Sequence, residues 1–279
     1  MSMERTAAIG NEARRRASAA ATHQILLRRG EDLGMWLGCG YPKSGTVWLC
    51  HLMASALEIP YPQNYEMPIM MRSVIHGHWD YDERLPSTIY IVRDGRDVLT
   101  SLYFYLTRSG KPQRNTMAMK ARELKGYSVE AIRNAGTESQ QLLKLLELEQ
   151  KNPTGAHVSW AEHVRQWNNK PNVAVVTYEN LLENPAATLS GAFASLGKEI
   201  DPRLIEASVQ LHDFSIRTGR PPGADDPTSF RRSGVAGGWR KHFTPEVAEA
   251  FDAYAGDVLV ELGYERDRSW TANLVRPSL

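Results

Sequence analysis

Residues 35–57, MWLGCGYPKSGTVWLCHLMASAL, constrain the fold of this chain more than any other stretch. Residues 35–39 are a short apolar run of strand length. The turn Gly40-Tyr41-Pro42-Lys43-Ser44-Gly45-Thr46 follows, and residues 47–57 are then apolar on nearly every side. A helix of that character belongs in a core, with both flanks covered. Strand, glycine-bounded turn and buried helix together make a phosphate cradle. Backbone N–H groups at the helix start point one way, and the helix dipole adds partial positive charge there. Gly40 and Gly45 keep the G-x-x-x-x-G spacing, but Thr46 and Val47 stand where a Walker loop has Lys and Ser/Thr. The lysine lies inside the loop as Lys43, and Val47 has no hydroxyl to hold magnesium. The cradle suits an anionic nucleotide without that metal ligand.

Bulk properties narrow the partners. A chain of 279 residues buries a sizeable core and fits one large domain. Its 33 basic and 32 acidic side chains leave a formal net charge of +1, so no broad nucleic-acid or anionic-membrane footprint is expected. Cys39 and Cys50 flank the cradle and read as inert core thiols in a reducing, cytoplasmic setting rather than as a bridge. No apolar run approaches the ~18 residues that a membrane span needs. Residues 1–30 are rich in Ala and Arg, including Arg14-Arg15-Arg16, as an organelle transit peptide is. Glu4 and Glu12 count against that role, and residues 19–29 read as one exposed helix leading to the first strand. A secretion signal is not expected, because an apolar h-region is missing. The domain expectation is a helical extension over 1–30 and a single domain over 31–279.

Along the chain, Pro60, Pro62 and Pro68 mark a loop, and residues 67–75 are predicted to re-enter as a strand before His76-Gly77-His78-Trp79-Asp80. TIYIV at 88–92 and VAVVT at 173–177 are β-branched runs of the kind that form buried parallel strands. Helices are predicted over 96–108, 159–169, 178–196 with a break at Pro185, 202–211, and 245–262 with Pro in its first turn. Between 109 and 157 the chain turns charged and Gln-rich, with Leu142, Leu143, Leu145 and Leu146 as an apolar stripe. An insert directly after a core helix is expected to act as a lid or acceptor-binding cap. Residues 217–235 read as a mobile loop. Strands alternating with helices predict a three-layer α/β/α domain with a central parallel sheet and right-handed crossovers. Ligands in such folds sit at the carboxyl ends of the strands, where the cradle lies.

Three further stretches fall where a nucleotide needs them. Arg93 follows a core strand directly, and Ser101 lies two turns down the next helix. Taken alone, Arg93 reads as a surface salt bridge with Asp94 or Asp97. Residues 230–240, FRRSGVAGGWR, combine guanidinium groups with glycines that permit close backbone approach, as a phosphate fork requires. Tyr178, at a strand end, suits packing near a purine or closing the sheet.

In this order the stretches resemble the sulfotransferase family that uses 3′-phosphoadenosine 5′-phosphosulfate (PAPS), whose fold is P-loop nucleoside-triphosphate-hydrolase-like. YPKSGTVW at 41–48 resembles its 5′-phosphosulfate loop, and IYIVRDGRDVLTS at 89–101 its 3′-phosphate strand and helix. TYENL at 177–181 and RSGVAGGWRKHFT at 232–244 are similar to its later motifs. The resemblance implies that Lys43 contacts the bridging oxygen and leaving phosphate, while Ser44, Gly45, Thr46 and Val47 wrap the 5′-phosphate. Trp48, Phe214 and Tyr178 would hold the adenine. Arg93, Ser101, Arg232, Ser233 and Gly234 would hold the 3′-phosphate, which separates PAPS from ATP. His76 matches the family's catalytic histidine, with His78 as the near alternative. An imidazole suits the base that an acceptor hydroxyl needs. PAP is the implied product, the acceptor is a small molecule, and no metal is expected.

Four positions depart from the family pattern. Val74 stands for a lysine beside the base, Val47 for a loop threonine, Ser233 for a lysine and Gly238 for an aspartate. The dimer motif of some relatives is only partly present, since Pro245 interrupts the Arg240, Thr244 and Glu249 spacing, so a homodimer stays open. Two other readings compete: a magnesium-ATP-dependent small-molecule kinase, and a non-catalytic PAP-binding protein. Tyr81, Tyr103, Phe104 and Tyr105 are expected either to line an aromatic acceptor pocket or to pack beside the core helix.

Overall fold

The computed structural model describes residues 3–107, 128–226, 229 and 234–274. Four parallel strands form its sheet: β1 (Trp36–Gly40), β2 (Val74–Gly77), β3 (Thr88–Val92) and β4 (Val173–Thr177), in the order β2-β1-β3-β4. The principal helices are α1 (Met3–Arg29), α2 (Thr46–Leu57), α3 (Gly95–Thr107), α4 (Glu138–Lys151), α5 (Trp160–Trp167), α6 (Pro185–Ser195), α7 (Pro202–Leu211) and α8 (Pro245–Glu261). Successive strand side chains point to opposite faces, so β3 feeds two cores. Ile89 and Ile91 enter one with α2, α6 and α7, while Tyr90 and Val92 enter the other with α3, α4, α5 and α8. The three-layer α/β/α expectation is met.

Register positions the site. Cys39 pairs with Gly77, Gly40 with Ile91, and Val92 with Thr177. The segments that leave β1, β2, β3 and β4 therefore emerge along one edge of the sheet. These segments are the cradle, the turn at His78 just past His76 on β2, Arg93 and Tyr178.

Several sequence expectations need correction. Residues 67–73 are not strand. Pairing with β1 begins only at Val74, and Met67, Met70 and Met71 are exposed. VAVVT is an edge strand rather than a fully buried one, and Val175 on it is exposed. The N-terminal helix is not simply exposed: Ser18, Thr22 and Leu26 are buried, Thr22 Oγ1 accepts the Ile69 N–H at 3.0 Å, and His23 stacks on Trp79 at 4.3 Å. In the described part of the 109–157 insert, α4 packs into the core, while Thr154 and Gly155 beyond it line a cavity at the carboxyl end of the sheet. Thr137 and Gln140 form a capping box at the start of α4, which buries Leu142, Leu145, Leu146 and Leu148. Residues 108–127 and part of the 217–235 loop lie outside the described residues. Nor are both flanks of α2 covered. Val47, Trp48, His51 and Ser55 are only half-buried, and at that spacing they share one face.

Candidate active site

β1 delivers the chain into the cradle at Gly40, where a Cβ would meet the Ile91 carbonyl oxygen at 2.6 Å. Lys43 and Gly45 then turn the loop through left-handed backbone, with φ of 74° and 96°. A lysine seldom adopts that conformation, and such strain gathers at functional positions. Gly45 precedes α2 without a side-chain cap, which leaves the first-turn N–H groups and their partial positive charge available to an anion. Ser44 Oγ, Thr46 Oγ1 and Arg93 Nε are each buried with no protein hydrogen-bond partner. Buried polar atoms are normally satisfied. Three orphans around one helix start fit a phosphate-bearing ligand.

Sequence pattern alone sets a surface salt bridge against a place at the cradle for Arg93; the side chain is buried, contacts the cradle backbone and faces Asp97. Its Nη1 donates to the Lys43 carbonyl at 3.2 Å and its Nη2 to the Val235 carbonyl at 3.3 Å. Its guanidinium lies 4.3 Å over the Tyr178 ring, and Nη2 sits 3.7 Å from the Asp97 carboxylate. Asp94 instead pairs with Arg96 at 2.8 Å. Asp97 accepts the N–H groups of Gly237 and Trp239 at 2.7 and 2.9 Å, tying the glycine-rich loop to α3.

One cavity of about 410 Å³ joins Lys43, Gly45, Thr46 and Val47 to Arg93 and Ser101. Trp48, Tyr178, Phe214 and Gly234 line it too. Trp48 meets Tyr178 edge-on at 6.0 Å, and a Cβ on Gly234 would fall 2.5 Å from the Phe214 ring. Arg232 and Ser233 lie outside the described residues. Gly45→Ala should cost on the order of 1–3 kcal/mol in denaturant melts and weaken nucleotide binding, because its φ is positive and its Cβ would press on Tyr178 at 2.8 Å. Unchanged stability and binding would mean that the cradle is not held as described.

His76 and His78 both line the cavity, their rings edge-on at 4.6 Å. His78 Nδ1 donates to the Gly40 carbonyl at 2.5 Å, which leaves Nε2 as the lone-pair nitrogen. Burial pulls the His78 pKa down, the Gly40 contact opposes it, and Lys43 lowers it further. Burial, and then His78, pulls His76 down to about 3. His76 Nε2 is buried without a hydrogen-bond partner. The expected aromatic acceptor wall shrinks to Tyr105, which lines the cavity under the Lys43 ammonium, 4.4 Å from its ring centre. Tyr81, Tyr103 and Phe104 pack elsewhere, against Trp167, Gln141 and His242.

Sequence reasoning missed His51 and His212. They stack at 5.0 Å on the cavity wall, with His212 Nε2 2.8 Å from Ser55 Oγ. The half of this pair that was readable is the Val47, Trp48, His51 and Ser55 spacing. His212 lies too far along the chain to be paired by pattern.

The sequence profile of the Sulfotransferase domain family matches residues 81–263, more than half of the chain. The chain belongs to the sulfotransferase family. A guinea pig (Cavia porcellus) 3-alpha-hydroxysteroid sulfotransferase is 26% identical over 253 residues, covering 76% of this chain and 79% of that protein. A rat (Rattus norvegicus) Sulfotransferase 2A6 is 26% identical over 255 residues, 76% of this chain and 80% of that one. Mouse sulfotransferase SULT7A1, solved in complex with PAP, has the same fold. It superposes with a TM-score of 0.61 at 22% identity, over 92% of this chain and 95% of that one. The parallel sheet of this sulfotransferase thus agrees with the family fold.

Proposed function

We propose that the protein moves the sulfuryl group of PAPS to the hydroxyl of an apolar small molecule and releases PAP. The observation that carries this reading is the set of buried, unpartnered polar atoms of Ser44, Thr46 and Arg93 at the start of α2. Ser44, Gly45, Thr46 and Val47 would bind the 5′-phosphate, and Arg93, Ser101 and Gly234, with Arg232 and Ser233, the 3′-phosphate. Trp48, Tyr178 and Phe214 would sandwich the adenine. PAPS supplies an activated sulfuryl group, which bears less negative charge than a phosphoryl group. Lys43 and backbone N–H groups are then an adequate stabiliser of the leaving phosphate. The hydroxysteroid activity in the guinea pig relative's name supports an apolar alcohol as acceptor.

The base in this reading is His78 rather than His76. The bond from Nδ1 to Gly40 holds the His78 tautomer that leaves Nε2 free to take a proton, and burial, with Lys43 adding to it, favours the neutral ring. Two buried free thiols, Cys39 and Cys50, support a reducing, cytoplasmic setting. Among the described residues no helix is long and apolar enough to cross a membrane.

Calorimetric titration with PAP, adenosine 5′-phosphosulfate and magnesium-ATP tests the cosubstrate. PAP should bind at least about tenfold tighter than either competitor, because each lacks the 3′-phosphate that Arg93 would hold. Tighter magnesium-ATP binding would favour the kinase reading. PAP binding without transfer from labelled PAPS to a panel of alcohols would favour the non-catalytic one.

A further inference from the structure

One fully buried titratable group that the proposed chemistry leaves unused is His163, on α5. The Nδ1 atom lies 2.9 Å from the Tyr90 hydroxyl on β3. Its ring meets Tyr41, the first cradle residue after β1, edge-on at 5.6 Å. Its remaining nitrogen, Nε2, has no partner at hydrogen-bond distance, yet the ring interacts with the backbone of His78 and Trp79. The Trp79 carbonyl on that turn already accepts the Trp167 indole N–H at 3.0 Å, from the same helix. The Trp79 ring folds back onto Gly77, where a Cβ would lie 2.4 Å from it. Burial, and then His78, pulls the His163 pKa down to about 4, so the ring is neutral at neutral pH. A neutral imidazole that accepts from Tyr90 at Nδ1 carries its proton on Nε2, on the side toward the turn.

We infer that His163 is a positioning residue, clamping the His78 turn and the cradle to one another so that the His78 ring keeps its bond to Gly40. A neutral histidine suits this place because it accepts from Tyr90 on one edge and turns an N–H toward the His78–Trp79 backbone on the other, while filling an aromatic slot against Tyr90 and Trp167. An apolar residue would fill the slot and do neither. Lysine or arginine would bring a permanent charge into a site where burial already disfavours the charged form of the histidine. The catalytic consequence rests on the reading of His78 as base; the geometric claim does not.

Imidazole NMR and kinetics separate the two claims. The Nδ1 proton of His78, donated to Gly40, should give a downfield resonance that disappears in His78→Ala. It should persist in His163→Gln, which keeps an N–H near the Nε2 position, and be lost in His163→Leu. Alongside this, kcat should fall by about tenfold to a hundredfold in His163→Leu, while PAP affinity stays within about twofold. His163→Gln should recover most of the lost turnover. If His163→Leu does not fold, Tyr90→Phe decides, since it removes only the hydroxyl: the resonance should shift and kcat should fall. An unmoved His78 resonance in the folded His163→Leu or the Tyr90→Phe protein would overturn the inference. So would equal behaviour of the Leu and Gln variants, or PAP affinity falling in step with kcat. Full turnover in His78→Ala would remove the base assignment alone, leaving the resonance to decide the positioning role.

Discussion

His78→Ala should lower kcat by about 10²–10⁴-fold while leaving PAP affinity nearly unchanged, as expected when a general base is removed from a site whose anion contacts remain. The effect is large because an acceptor hydroxyl has a pKa far above neutral, and the attacking oxygen must shed its proton as the sulfur–oxygen bond forms. His76→Ala should cost much less. Its pKa of about 3 makes it a poor proton acceptor, and its Nε2 is enclosed. The pH profile carries the same argument with a definite sign. The His78 pKa is depressed by burial, so the ring stays neutral below the ordinary value of about 6.5. Turnover should hold its plateau through that pH on acidification and fall only as the pH drops through the depressed value. A limb centred at or above about 6.5 would mean that the base is a solvated imidazole elsewhere. A dead His76→Ala beside an active His78→Ala would reverse the assignment.

The parts of this molecule readable from sequence are those in which one short segment carries both pattern and chemistry. TIYIV, VAVVT and the Gly40–Gly45 turn declare strands and a cradle because β-branched runs and glycine spacing act locally. Parallel register then brings Arg93 and Tyr178 to the cradle without further information. What escaped depends on distant packing. The buried face of α1 includes Ser18 and Thr22, small polar residues that no apolar stripe would flag, and its burial follows from the loop at Ile69 lying across it. The leucines of α4 were visible as a stripe, yet a stripe does not state its partner; it packs under α3 and α8 instead of over the cavity. His76 and His78 look alike in sequence. The Gly40 carbonyl beside His78 and the enclosure of the His76 Nε2 separate their chemistry, and both depend on packing.

Asp97→Ala should destabilise the fold by about 3–5 kcal/mol, and PAP affinity should fall with it. The Asp97 side chain is only 1% exposed and serves three groups at once: the Gly237 and Trp239 N–H donors and the Arg93 guanidinium. Removing the carboxylate leaves two buried N–H groups without acceptors and a buried cation without its nearest counter-charge, each costly in a dry interior. The loss also reaches the cavity. Gly234 lies a few residues before the anchored amides, and Val235 supplies a carbonyl that holds Arg93. Asp97→Asn tests the electrostatic part separately, because it keeps one acceptor oxygen and the shape but not the charge. It should fall between wild type and Asp97→Ala in chemical denaturation. Calorimetry should show it binding PAP more weakly than wild type, because Arg93, released from its carboxylate, no longer holds one orientation. If both variants melt and bind as the wild type does, the glycine-rich loop is held by something other than Asp97, and the 3′-phosphate assignment of Arg93 loses its support.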